Sequence, residues 1–164
     1  MRHIMLAAAM LAMPVPLLAQ QAAQPVQPPA ATAQAEGVLR LKSANDFDTT
    51  VARIKADVAA RGVMLFTAID QQKLASGAGI TLGRSTLILF GNPSHGIQFL
   101  TANPLSGLDW PVRMLVSEDA DGSVTIAWND FAWIAKRYAI TNRAAEFKIA
   151  TEVSGSIAKA GATK

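Results

Sequence analysis

Four large apolar residues in a row, Leu87-Ile88-Leu89-Phe90, run directly into Gly91-Asn92-Pro93. Such a run has no polar face to offer water, and the Gly-Asn-Pro break stops it at a strand's length. It predicts an interior strand from Arg84 to Phe90. Val63 to Ile69 is apolar on both alternating faces in the same way, predicting a second interior strand that ends at Asp70. Beyond the break, Pro93 to Thr101 reads as a short helix, with Asn92 as its cap and Pro93 in its first position.

The remaining elements follow from periodicity. Val38-Leu39-Arg40-Leu41-Lys42 alternates apolar and basic residues, as a half-buried strand does. Ser43 with Asp46 three residues later looks like a helix start of capping-box type. Phe47, Val51, Ile54 and Val58 then make one apolar helical face, which Gly62 ends in the left-handed conformation. Gln71 to Gly79 reads as a short helical turn and Asn103 to Asp109 as loop. Val112 to Ser117 and the alternating Val124, Ile126 and Trp128 make a hairpin about the turn Glu118 to Gly122. Asp130 caps a helix to about Tyr138. Asn142 caps a last helix to about Ala160, with Phe147, Ile149, Val153 and Ile157 available for burial. The predicted class is α+β, with about five strands and helices packed on them.

The N-terminus is an address. Met1-Arg2-His3 precedes an apolar run, Ile4 to Leu18, broken by Pro14 and Pro16 and followed by Ala19-Gln20. At about 15 residues it is short of the roughly 20 that a spanning helix needs. Residues 1–19 are therefore expected to be a secretory signal peptide, with export to a bacterial periplasm and no stable membrane anchor after cleavage. Residues 20–36, rich in Ala, Gln and Pro, are expected to be a disordered tether, and residues 37–161 a single domain. The formal charge of +3 falls to about +2 without Arg2, and the basic residues are scattered. Nucleic-acid binding is not expected without a concentrated basic stripe. The chain has no Cys, which excludes disulfides, thiolate nucleophiles and thiolate metal sites.

The series Asp70, Leu89-Phe90-Gly91-Asn92-Pro93, Asp109-Trp110-Pro111-Val112, Glu118-Asp119 with Gly122, Trp128-Asn129-Asp130 and Ala135-Lys136-Arg137-Tyr138 resembles the domain-of-unknown-function family numbered 302, of the TT1751-like fold. The resemblance covers roughly Leu39 to Lys159. It implies a mainly antiparallel sheet packed with helices and frequent dimerisation, and no established activity. Two positions depart from the family pattern. Gln71 stands where many members have His, and Phe131 follows Asp130 where a proline is usual.

Among the candidate functional residues, Gly91, Asn92 and His95 are the most suggestive. A helix start offers backbone N–H groups and a positive dipole end to an anion, and Gly91 would admit a ligand close to the backbone. Gly91, Asn92 and Pro93 read first as a strand-to-helix turn, with Gly for the conformation, Asn for the cap and Pro for the first helical position, and only second as a ligand site. His95 is the one His left after leader removal, so no multi-histidine metal site is expected, and no metal or cofactor. Asp70, at a strand end, suits a base or a cap, and Asn129 completes the set expected to converge. The acidic turn Glu118 to Gly122 lacks the distal Glu of a calcium loop, and no phosphate-loop, dinucleotide or nucleophile-elbow motif is present. Trp110, Trp128 and Trp133 bracket the hairpin and read as core or dimer surface ahead of an aromatic ligand cage. The leading expectation is a module binding a small anionic ligand. The alternatives are a homodimeric interaction domain and an enzyme using Asp70 or His95 as acid–base.

Overall fold

A computed structural model describes residues 35–164. The predicted leader and all but the last two residues of the predicted tether lie outside the described residues. The elements run β1 (Val38–Lys42), α1 (Phe47–Ala60), β2 (Met64–Asp70), α2 (Gln71–Gly77), β3 (Ser85–Gly91) and α3 (Pro93–Ala102). A 3-10 helix (Pro104–Asp109), β4 (Val112–Glu118), β5 (Val124–Asn129), α4 (Phe131–Arg137) and α5 (Ala144–Ala162) complete the order. The strands form one sheet, β1-β5-β4-β3-β2, antiparallel at every step. This is an α+β fold with a five-stranded antiparallel sheet.

Register puts the core on one face of that sheet. Ile88 pairs with Met114 and Met114 with Trp128, while Val116 pairs with Ile126. All of these are buried, together with Phe90 and Val124. Because side chains alternate across a strand, they share a face, and α1 and α5 cover it. Helix α1 contributes Phe47, Ile54 and Val58, and α5 contributes Ile157, Ala158 and Ala162. Each fully buried Ile or Val side chain here stabilises the fold by roughly 1.5–3 kcal/mol. A second apolar cluster, of Phe99, Phe131, Ile134, Tyr138, Ile140 and Phe147, joins α3, α4 and the start of α5. Among the described residues no helix is long and apolar enough to cross a membrane.

Several local expectations change. β2 is an edge strand, not an interior one, with Met64, Leu65 and Phe66 each more than 40% exposed. Apolar character on both faces was a poor guide there, because only tertiary pairing decides which strand is last. Helix α1 is capped by Asp46, which accepts from the Thr49 N–H at 2.8 Å. Ser43 is instead buried and bonded to the Thr50 hydroxyl at 2.7 Å. Gly62 does take a left-handed φ of 65°. The expected loop from Asn103 is mostly a 3-10 helix, whose cap is the Asn103 side chain, accepting from the Leu105 N–H. Helix α5 starts without a side-chain cap, so Asn142 does not serve as one, and Ile149 is 41% exposed rather than buried.

Candidate functional site

The end of β3 works first as a turn. Asn92 caps α3 by accepting from the Ser94 N–H at 2.9 Å, and Pro93 occupies the first turn. The His95 and Gly96 N–H groups both donate to the Asn92 carbonyl, at 3.1 and 2.9 Å. Pro93 has no N–H, so the first donors of α3 are satisfied within the turn. The Ser94, His95 and Gly96 N–H groups are thus already bonded to Asn92. Asn92 spends its Oδ1 on the cap, and its amide nitrogen remains as a donor.

What approaches the glycines is an indole. A Cβ on Gly96 would lie 1.8 Å from Trp110 Nε1, and one on Gly91 would lie 3.4 Å from the same atom. The Nε1 edge of the Trp110 indole therefore presses against the start of α3, which only glycine at position 96 permits. Phe66 meets Trp110 edge-on, with ring centroids 5.5 Å apart.

Trp110 forms one wall of a cavity of about 250 Å³ between the sheet end, α3 and α5. Its lining draws on both apolar clusters. Phe90, Phe99, Val112, Phe131 and Val153 make most of the remaining wall, with the buried Ser154 of α5 among them. Arg61, Asn92 and His95 supply polar groups, and no carboxylate lines the space. Arg61 follows α1 and is held in place. Its Nε donates to Asp57 Oδ2 at 2.6 Å and its Nη2 to Ser156 Oγ at 2.7 Å.

The predicted site residues thus divide. Gly91, Asn92 and His95 line one cavity. Asp70 and Asn129 do not. The β2–β3 register pairs Asp70 with Thr86 and Met64 with Gly91. At about 3.4 Å per residue, the Asp70 end of β2 is about 17 Å from the Gly91 end of β3. Asp70 caps α2, accepting from the Lys73 N–H at 2.9 Å. Gln71, at the family's frequent His position, accepts from Ser85 Oγ at 2.6 Å and so ties α2 to β3. Arg61, Gly96, Trp110, Phe131 and Ser154 were not foreseen as site residues. Nothing local distinguishes an arginine at a helix end or a serine in a helix. Trp110 was read as core or dimer surface ahead of a ligand cage, because a lone indole in sequence looks the same in either setting.

Asn129 belongs to a separate polar centre built on Asp109, which is 7% exposed. Asp109 accepts from the Tyr138 hydroxyl at 2.6 Å, Arg137 Nη1 at 3.0 Å and Asn129 Nδ2 at 3.3 Å. Arg113 Nη1 stands 3.8 Å away. One carboxylate thereby joins the 3-10 helix, both hairpin strands and the end of α4. A charge-assisted network of this kind orders the segments it links.

The comparisons with known proteins bear on this arrangement. The family model "Domain of unknown function DUF302" matches residues 39–160. The chain belongs to the DUF302 family. The crystal structure of an uncharacterized conserved DUF302 protein from Bacillus stearothermophilus has the same fold, with a TM-score of 0.69 at 12% identity. That superposition covers 77% of this chain and 98% of the other. Among curated relatives, the "Fluoride-specific ion channel FluC 1" proteins of Brucella suis and Brucella abortus are each 34% identical over 113 residues. The match takes in 69% of this chain and only 44% and 42% of theirs, so this chain spans less than half their length. Of the residues that carried the DUF302 resemblance, Gly91, Asn92 and Trp110 line the cavity and Asp109, Asn129, Arg137 and Tyr138 make the polar centre, whereas Asp70 and the Glu118 to Gly122 turn belong to neither.

The polar centre makes a pH prediction. Burial, reinforced by the hydrogen bond to Asp109, raises the Tyr138 phenol above its ordinary value of 10.0. A raised folded value means that the contribution to stability is full below about pH 10 and is lost as pH climbs through the folded value. Tyr138 is the chain's single tyrosine. Phenolate absorbance should therefore appear at higher pH in the native protein than in the same protein in urea. Coincident titrations would contradict the buried bond.

Proposed function

We propose that this protein is an exported small-ligand-binding accessory module, its site the cavity beside Trp110. One observation carries the reading: an aromatic-walled space of about 250 Å³ with Arg61, Asn92 and His95 on its lining. Concave, mostly apolar sites with a few placed polar groups are the usual form of small-molecule pockets. An engineered apolar cavity of about 150 Å³ takes benzene, so this one is large enough for a ring with a short substituent. The export part of the proposal rests on the charged, apolar and small-residue layout of residues 1–19.

The relatives' name adds a second reading, in which a domain of this kind accompanies a membrane transport protein. The 34% identity to proteins named for a fluoride channel favours it. The role would be that of an attached or partner domain, because no spanning helix occurs among the described residues. Fluoride itself, small and strongly hydrated, is a poor match for aromatic walls. The interaction-domain alternative draws on the exposed β2 edge, but that edge carries a register shift between Leu65 and Thr67, a device that discourages strand addition. The acid–base alternative loses the pairing of Asp70 with Asn92 to the antiparallel register.

Thermal unfolding of the protein with neutral and anionic aryl and alkyl probes, with sodium fluoride alongside, tests the proposal. A probe at a hundredfold excess over its Kd adds about 2.7 kcal/mol, a rise in Tm on the order of 5–10 °C for a domain of this size. No shift with any organic probe would remove the ligand-binding reading. A shift with fluoride alone would move the function to the ion.

A further inference from the structure

We propose that the ligand of this cavity is a small aryl-alkyl carboxylate, held with its ring among the aromatic walls and its carboxylate against Arg61. This rests on the ligand-binding reading above and goes on to name the chemistry. Three features of the lining converge on it.

The first is the shape and character of the wall. Phe90, Phe99, Trp110 and Phe131 all face the same space, and an apolar ring gains both burial and edge or offset stacking among such groups. The indole cannot drift far, since Gly96 lets it lie directly on α3 and Phe66 meets it edge-on. The volume leaves room for a chain of two or three carbons beyond a ring.

The second is charge. Arg61 is the charged side chain among the lining residues, and no Asp or Glu lines the cavity. A carboxylate entering it therefore meets a guanidinium without a lining group of its own sign. A cationic ligand would meet the reverse.

The third is preorganisation. Nε of Arg61 is held by Asp57 and Nη2 by Ser156. Both anchors leave the guanidinium plane set before a ligand arrives, so less side-chain entropy is lost on binding. Asn92, whose Oδ1 is spent on the cap, is a second polar residue on the same lining. The pairing of Arg61 with Asp57 also sets a limit. The anion shares its cation with an existing partner, so the charge contributes selectivity of up to about fivefold rather than the full value of an isolated ion pair.

The experiment is calorimetric titration of the full chain near neutral pH with phenylpropanoate, phenylpropanamide and acetate. Phenylpropanoate should bind about fivefold more tightly than the amide, and acetate should give no heat of binding. Arg61→Met keeps an apolar stem but removes the charge, and should bring the acid down to the amide's affinity. Circular dichroism melts and amide binding report whether that variant is folded. Equal affinity for acid and amide would overturn the carboxylate assignment while the ligand-binding reading stands. Acetate binding as tightly as phenylpropanoate would overturn the apolar body. If neither aromatic probe binds, both the assignment and the reading beneath it fall. Should Arg61→Met not fold, added salt provides the second measurement. The acid's advantage over the amide should shrink between low and high ionic strength, and an advantage indifferent to salt would count against Arg61 as the anchor.

Discussion

Asp109→Ala is expected to lower the stability of the domain by about 3 kcal/mol, measured by urea denaturation at neutral pH. The Tyr138 hydroxyl, the Arg137 guanidinium and the Asn129 amide all donate to this one buried carboxylate. Removing an acceptor leaves its partners without one, and a buried unsatisfied polar group costs about 1–3 kcal/mol. Arg137 is 43% exposed and recovers part of its loss from water, so the three contributions do not simply add. Asp109→Asn should cost less, because an amide oxygen still accepts from Tyr138. The alanine variant should also loosen the join between the 3-10 helix, the hairpin and α4. Faster amide exchange at Asn129 and Tyr138 would report that loosening. A loss of stability below about 0.5 kcal/mol would mean that the network orders nothing.

Gly96→Ala should cost about 2 kcal/mol and abolish binding of any probe that occupies the cavity. The added methyl would lie 1.8 Å from Nε1 and 2.0 Å from Cε2 of Trp110, so the indole must leave its seat. Overpacking of this kind typically costs 1–3 kcal/mol. The displaced ring either fills the cavity or opens its wall, and a ligand loses its site in both cases. A double-mutant cycle separates this clash from a helix effect. With Trp110→Ala already present, Gly96→Ala should be neutral or stabilising, since alanine exceeds glycine in helix propensity by up to about 1 kcal/mol. The coupling between the two positions should therefore exceed about 1.5 kcal/mol. Additive costs would place the indole elsewhere.

These predictions concern residues that differ in how readable they were. The Asn92 cap and the Pro93 helix start could be read from three consecutive residues, because capping is local chemistry. The hairpin from Val112 to Asn129 was readable from alternation, and α1 from its apolar spacing. The fold itself was accessible through the DUF302-like order of motifs. The polar centre was not. Asp109, Asn129 and Tyr138 were noted as parts of separate motifs, and nothing in their spacing says that one carboxylate collects the others. Asn129 was expected beside Asn92 and instead points its amide at Asp109. Asp70 was expected there too, and the antiparallel register sent it to the other end of the strand pair.

By itself, then, the sequence determined what depends on neighbours along the chain: strand and helix periodicity, caps, turns, the family pattern and the absence of thiol chemistry. Tertiary structure alone decided which strand became the edge, where β2 and β3 end relative to each other, and which wall Trp110 forms. The physical reason is the range of the interactions. A cap needs groups a few residues apart, whereas the cavity needs Arg61 after α1, Trp110 before β4 and Ser154 in α5 to meet. That meeting is set by sheet register and by helix packing across the whole domain.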